Sequence, residues 1–337
     1  MAEGQRAHRL TAARTAKGGT RMKRRTLLGT GPALLAAPAL AQSWRPDRPI
    51  EIVVGFTPGG ATDVDARLYA RFLEPRIGGT VVVSNRPGAG GEVALAAVAR
   101  GRADGTIIGT TNMPGLLTIP IERPAQFRLA DFHGIGNLIG DPSAISVAAS
   151  SPYRTIEDLF ESARRAPETI TFGSPGIGTD DHLLMVLIQV ATGLRFNHVS
   201  FQGDPPIRTA ILGNQIVATG LNLGYVLTNN DGMRLLALAA SQRSRFAPDL
   251  PTLKEKGVDV NMASERGLVM PAGTPAHVVS RFREATEDIA KDPEFIKAIE
   301  ARSLLVQHEP GEAWFARLRQ DEQRYRQLWA TTPWAQR

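Results

Sequence analysis

Apolar and polar residues follow two different periods along the chain, one typical of strands and one typical of helices. Short β-branched runs predict strands at residues 50–56, 80–85, 106–110, 145–149, 169–172, 197–201, 216–219, 235–239 and 267–270. Val64, Leu68 and Phe72 recur every four residues and predict the buried face of a helix, whereas residues 183–188 are apolar throughout and predict a deeply buried helix. This alternation indicates an α/β fold with largely parallel sheets covered by helices on both faces.

The length of 337 residues suggests two domains, each able to bury its own core. No long linker separates the predicted elements, so we expect the second domain to be an insertion into the first. The predicted division places residues 42–148 and 263–337 in domain 1 and residues 149–262 in domain 2.

Residues 22–41 have the pattern of a secretory signal peptide. A basic stretch at residues 23–25 precedes an apolar run, and small residues at positions 39 and 41 predict cleavage near Ala41. The apolar run is about 14 residues long, short of the ~20 that a membrane span needs, although a retained anchor is the alternative. We therefore expect an exported protein, through either general secretion or the twin-arginine route.

The formal net charge of +6 does not predict a nucleic-acid-binding surface. The first 41 residues contain eight basic residues and one acidic residue, while the remainder contains 31 basic and 32 acidic residues. The basicity thus belongs to the leader, and no nucleic-acid partner is expected. With no cysteine, the chain has no disulfide, thiolate nucleophile or Cys-ligated metal, and we predict neither a cofactor nor a metal site.

Two glycine loops carry the predicted chemistry. The first, residues 57–63, and the second, residues 173–180, each follow a strand and open a helix. Glycines let a ligand approach the backbone, and the free N–H groups of a helix N-terminus favour an anion. Neither loop has the Gly-Lys-Ser/Thr of a phosphate-binding loop, so a small carboxylate is favoured over a nucleotide. A third glycine segment, residues 85–91, is either a turn or a further wall of the same cleft.

The order of several motifs resembles that of Bug-type extracytoplasmic solute receptors of tripartite tricarboxylate transporters. The matching segments are residues 44–50, 53–63, 85–91, 173–183, 212–215 and 271–275. The resemblance implies a two-domain Venus-flytrap fold of periplasmic-binding-protein type. It also implies that backbone groups of two facing loops and bridging waters hold a small carboxylate or amino acid. Membrane transport subunits are the implied partners, and we expect the receptor to be a monomer.

The loop design and the resemblance together define the predicted ligand contacts. They are Thr57, Gly59, Gly60, Ala61, Thr62, Asp63, Asn112, Ser174, Pro175, Gly176, Gly178, Thr179, His182, Gln202 and Asn222.

Three stretches depart from the pattern of the family. Residues 201–204 read Phe-Gln-Gly-Asp where Tyr-Lys-Gly-Gly is usual, and residues 221–224 read Leu-Asn-Leu-Gly instead of Asp-Asn-Leu-Pro. Residues 265–267 read Glu-Arg-Gly where Trp-Phe-Gly is frequent. The lip of the cleft is therefore remodelled, and the ligand of a relative does not transfer directly.

Three aspartates at predicted helix starts constrain the ligand. Two unit charges 4 Å apart interact by ~4 kcal/mol at an effective dielectric of 20, so a carboxylate facing a carboxylate ligand would offset several hydrogen bonds. Asp63, Asp180 and Asp181 therefore either cap their helices and point away or recognise an amine or hydroxyl of the ligand. Capping is favoured for Asp180 and Asp181, and both alternatives stay open for Asp63. Arg266 is expected to be a solvated surface residue, with supply of a counter-charge as the alternative.

The sequence contains no convincing catalytic constellation. It lacks an H-E-x-x-H motif, and Ser174 does not lie in a G-x-S-x-G elbow. We predict a receptor without catalysis, the alternatives being a secreted hydrolase that uses Ser174 and His182 or a receptor that serves a sensor. In the receptor, His182 either donates at the edge of the cleft or is satisfied locally.

Overall fold

The computed structural model describes residues 44–334, which form two mixed β-sheets flanked by α-helices. The strands are β1 (Ile50–Val54), β2 (Val81–Asn85), β3 (Ile107–Met113), β4 (Phe132–Pro142), β5 (Ala144–Ala148), β6 (Thr171–Ser174), β7 (Asn197–Ser200), β8 (Ala218–Thr219), β9 (Met233–Leu238), β10 (Ala263–Pro271) and β11 (Leu305–Pro310). The helices are α1 (Ala61–Ile77), α2 (Glu92–Ala99), α3 (Gly115–Glu122), α4 (Ile156–Arg165), α5 (Asp180–Thr192), α6 (Asp204–Leu212), α7 (Leu223–Thr228), α8 (Ala276–Ala290), α9 (Pro293–Glu300) and α10 (Gly311–Thr331). The predicted signal peptide lies outside the described residues.

The first sheet has the strand order β11-β4-β10-β3-β1-β2, and the second has the order β7-β6-β8-β5-β9. Strands β1, β2 and β3 pair in parallel, as do β6, β7 and β8. The other pairings are antiparallel, so the prediction of largely parallel sheets is wrong. In the first sheet β10 runs antiparallel to both of its neighbours, β3 and β4, and β11 runs antiparallel to β4. In the second sheet β5 runs antiparallel to β8 and β9. We call the structure built on the first sheet the first lobe, and that built on the second sheet the second lobe.

Strand β5 follows β4 after a single residue, Ser143, so the chain passes from the first lobe to the second at this point. Residues 144–148 were predicted to belong to domain 1, but they pair in the second sheet. The chain therefore enters this sheet five residues earlier than predicted. Both sheets belong to one compact unit, and the two-domain division stays a prediction. No helix among residues 44–334 combines the length and the apolar content of a membrane span.

Helix α1 buries a face shifted from the predicted one, because Leu68 and Phe72 pack partly buried against the core of the first sheet but Val64 does not. Val64 is 37% exposed, and the buried positions include Ala66, Tyr69, Leu73 and Ile77, which pack under the first sheet. The spacing of large apolar residues did not reveal the buried face of α1, because the small residue Ala66 forms part of the packing against the sheet. The apolar segment of α5 is buried in the second lobe, as predicted.

Candidate ligand-binding cleft

The loop between β1 and α1 is held in shape by Asp63. Its Oδ2 accepts from the Gly59 N–H at 2.9 Å, and its two oxygens accept from Arg67 at 2.9 and 3.0 Å. Asn85 donates to Oδ1 at 2.8 Å. Burial alone would raise the pKa of Asp63, but the hydrogen bonds from Arg67, Gly59 and Asn85 outweigh it and lower the pKa. Asp63 therefore stabilises the loop from within.

The loop between β6 and α5 is likewise tied to itself. The Ser174 hydroxyl donates to Gly176 O at 3.1 Å, and the Thr179 hydroxyl donates to the same carbonyl at 2.7 Å. The Gly178 N–H donates to His182 Nδ1 at 3.2 Å, and Pro175 is buried within the loop. Of the two alternatives for His182, local satisfaction is the one that these contacts support.

The buried His182 and the half-buried His198 lie next to each other beside this second loop. The rings of His182 and His198 are 4.4 Å apart, and burial lowers their pKa values to about 3 and about 4, with His198 adding to the effect on His182. Both imidazoles are therefore neutral at neutral pH. Ser174 Oγ lies 2.6 Å from His198 Nε2, so the alternative pairing of Ser174 with His182 is wrong.

The first loop touches the second lobe directly. The Thr57 N–H donates to Gln202 O at 3.2 Å, and the Ala61 N–H at the start of α1 donates to Asp204 Oδ2 at 2.8 Å. A Cβ on Gly203 would lie 2.4 Å from Thr57 Oγ1, so only glycine permits this approach.

The second loop touches the first lobe through other residues. The Thr118 hydroxyl donates to Gly178 O at 2.5 Å, and a Cβ on Gly176 would lie 2.7 Å from Gly90 Cα. The third glycine segment thus faces the second lobe. Both predicted loops lie where the lobes meet, each against a different segment of the opposite lobe.

Side chains of the first lobe form a polar group beside the first loop. Thr62 and Asn112 are hydrogen-bonded through their side chains at 2.8 Å, and Asn112 also donates to Ser264 Oγ at 3.1 Å. Asn112 and Arg266 are register partners on the adjacent strands β3 and β10.

A second polar group lies at the passage between the lobes. Asn222 donates to Asp180 Oδ2 at 2.8 Å and accepts from Arg266 at 2.9 Å, while Ser143 donates to Asp180 at 3.3 Å. Asp180 thus points toward the residues that join the lobes, which contradicts the expectation that it points away as a cap.

Arg266 is 4% exposed, so the expectation of a solvated surface residue is wrong. Its guanidinium donates to Asp65 and to Asp141, each at 3.0 Å, and Arg302 also pairs with Asp65. Although burial opposes its charge, the carboxylates of Asp141, Asp65 and Asp204 raise the pKa of Arg266. Arg266 is the counter-charge of this buried region.

The carboxylates around Arg266 outnumber the arginines. Burial raises the pKa of Asp141 to about 6 despite the attraction of Arg266. Burial also raises the pKa values of Asp180 and Asp204, and it raises that of Asp181 strongly because Asp180 and Asp204 add their repulsion. Ionisation of these crowded, buried aspartates therefore costs more than usual, to different degrees.

The sequence did not indicate the roles of Asp204, Asp65, Asp141 and Thr118 in this region, and for Arg266 the counter-charge was only the less favoured alternative. One local signal was present, the acidic residue directly after the Gly203 turn, whereas Arg266 follows the polar residues Ser264 and Glu265 in β10 and gives no such signal.

Two β-sheets flanked by helices, with a glycine loop of each lobe packed against the other lobe, are typical of the periplasmic-binding-protein fold. The sequence model of a protein family, the tripartite tricarboxylate transporter family receptor, matches residues 66–327 of this chain. The chain belongs to this family. The predicted family and fold are thereby confirmed. The family consists of periplasmic receptors without catalysis, in agreement with the prediction that the chain is not an enzyme.

Relatives extend over nearly the whole described chain. A UPF0065 protein in the gbd 5' region of Cupriavidus necator is 31% identical over 269 residues, covering 79% of this chain and 82% of its own. The structure of the periplasmic binding protein BugD has a TM-score of 0.80 at 26% identity, covering 85% of this chain and 98% of its own. R. palustris Rpa4515, solved with adipate, has the same TM-score, identity and coverage.

Proposed function

We propose that this chain is an exported receptor that captures a small carboxylate solute between its two lobes. It delivers the solute to the membrane subunits of a tripartite tricarboxylate-type transporter and performs no chemical step. Family membership supports the transporter partnership, and the adipate-bound relative supports a carboxylate ligand.

The observation that carries the ligand class is the contact at the start of α1. There the Ala61 N–H holds a carboxylate oxygen, that of Asp204, at 2.8 Å across the cleft. The first N–H groups of a helix have no acceptor within the helix and carry a partial positive charge. The N-terminus of α5 has the same property, so each lobe contributes a helix start that favours a small anion.

Side chains beside these donors supply the remaining polar contacts. Thr62 and Asn112 lie in the first lobe, and Asn222 lies at the passage to the second lobe. A ligand that touches both lobes binds the closed arrangement better than the open one, and this difference drives closure.

A thermal-shift screen of the purified protein tests the proposal, with calorimetry of each hit. The panel contains mono-, di- and tricarboxylates, aromatic acids and amino acids. A true ligand at a hundredfold its Kd stabilises the folded state by ~2.7 kcal/mol, a readily measured shift. We expect Asn112→Ala to weaken binding at least tenfold, whereas the exposed Asn230→Ala should leave it unchanged. The absence of a shift with every compound would refute the receptor proposal.

Transport is tested separately in cells. Uptake of the radiolabelled hit should disappear when the gene is deleted and return with the wild-type chain. Uptake that continues without the chain would refute its role in transport.

A further inference from the structure

The carboxylate of Asp204 lies at the start of helix α1, where the free N–H groups favour an anion. It accepts from the Ala61 N–H at 2.8 Å, and its Oδ2 lies 3.2 Å from where a Cβ on Gly60 would be. Asp204 belongs to α6 in the second lobe and Ala61 to α1 in the first, so the contact spans the cleft. A ligand carboxylate would have to displace Asp204 or lie beside it.

A second carboxylate nearby has an unused acceptor. Asp181 is 1% exposed, and its Oδ2 has no hydrogen-bond partner within residues 44–334. Asp181 interacts electrostatically with both Asp180 and Asp204, which raise its pKa further after burial has done so. A buried acceptor without a donor is costly, and a ligand group that donates to it would remove that cost.

The nearby cations do not cancel this excess of negative charge. Arg266 is engaged by Asp65 and Asp141, and Arg302 by Asp65. Asp180 accepts from the neutral groups Asn222 and Ser143. This part of the cleft therefore repels a further carboxylate and attracts a cation or a neutral donor.

We propose that Asp204 and Asp181 are specificity-determining residues that reserve this end of the cleft for an ammonium group. The ligand then carries an amine in addition to its carboxylate, and a dicarboxylate is disfavoured. This inference rests on the proposed receptor function and narrows its ligand class.

Pairs of ligands with equal chain length test the inference by calorimetry. The probes are succinate against 4-aminobutyrate and adipate against 6-aminohexanoate, each pair differing in one terminal group. We expect the wild-type protein to bind the amino member at least tenfold more tightly. Asp204→Asn keeps the size and an acceptor oxygen but removes the charge, so the preference should fall at least tenfold and the dicarboxylate should gain affinity.

Further variants separate charge selection from a structural role. Asp181→Asn should reduce the same preference, and Asp204→Glu should retain part of it. The exposed Asp249→Asn, in the same lobe, should leave it unchanged. A merely structural role of Asp204 would weaken both members of a pair equally and leave their ratio constant.

The outcomes distinguish this inference from the receptor proposal. A wild-type protein that binds the dicarboxylate equally well or better, or a ratio that Asp204→Asn does not change, overturns the inference and leaves the receptor proposal standing. If the screen yields another carboxylate, the same ratio is measured with that compound and its amino counterpart. Failure of every carboxylate and amino acid to bind either protein overturns both.

Discussion

Replacing Arg266 by methionine should destabilise the folded protein strongly and in a pH-dependent way. The substitution keeps an unbranched side chain of similar length but removes the cationic partner of Asp141, since Arg302 pairs with Asp65 instead. Asp141 is fully buried. Breaking a buried pair by removing one partner costs about 3–5 kcal/mol, which corresponds to a Tm lower by roughly 6–20 °C.

The loss should depend on pH because Asp141 can take up a proton. Its pKa is already raised to about 6 with Arg266 present, and removal of the guanidinium raises it further. At pH 8 the folded variant must bury an unpaired carboxylate or bind a proton at a cost, whereas at pH 5 protonation is inexpensive. We therefore expect a smaller loss at pH 5 than at pH 8.

Urea unfolding of wild type, Arg266→Met and Arg266→Lys at both pH values measures the effect. The lysine variant retains the charge without the two-pronged geometry and should show an intermediate loss. Arg266→Met combined with Asp141→Asn should recover part of the stability, because the double variant buries no unpaired charge there. A loss below about 1 kcal/mol at pH 8, the size of an ordinary exposed ion pair, or an equal loss at both pH values, would refute this account of the cluster.

Two further predictions concern the same cleft. Gly203→Ala places a Cβ 2.4 Å from Thr57 Oγ1, so we expect calorimetry to show that ligand affinity falls at least tenfold. Gly193→Ala is the control, because Gly193 also has a positive φ but has open space around it. An equal fall in both variants would indicate backbone strain instead of the clash with Thr57. Asp141 has a folded-state pKa above its ordinary value of 3.8, so its contribution to stability is complete below pH ~4 and is lost as pH rises through about 6. The free energy of unfolding should therefore change by about 3 kcal/mol, at 1.36 kcal/mol per pKa unit. Urea unfolding between pH 4 and pH 8 should show a flatter pH dependence for Asp141→Asn than for wild type. Parallel pH dependences of the two proteins would contradict the raised pKa of Asp141.

Most strands were predictable because β-branched runs report them locally, but β4 and β11 were not. Strand β4 contains Gly134 and Gly140, whose missing side chains make room for Phe315 and Gln307. Those partners lie far away in the sequence, so the glycines resemble turn residues when β4 is considered alone. Strand β11 is a polar edge strand that pairs only with β4, and it has little apolar signal of its own.

The candidate site shows the same division between local and distant causes. The two glycine loops were predictable because a strand, a turn and a helix start are adjacent in the sequence. The role of Asp204 was not, since its donor at Ala61 is 143 residues away. Arg266 likewise finds its partners Asp65 and Asp141 201 and 125 residues away, and nothing local announces that a charged strand residue is buried.

Helix α10 is 21 residues long and packs against the hydrophobic cores of both lobes. Trp314 and Leu318 are embedded among residues of the first sheet, while Tyr325 and Trp329 pack against the core of the second. The same helix therefore packs against both lobes, and the lobes cannot separate without a change in these contacts. Movement of the lobes apart would have to preserve the contacts of α10 or release Tyr325 and Trp329 from the core of the second lobe.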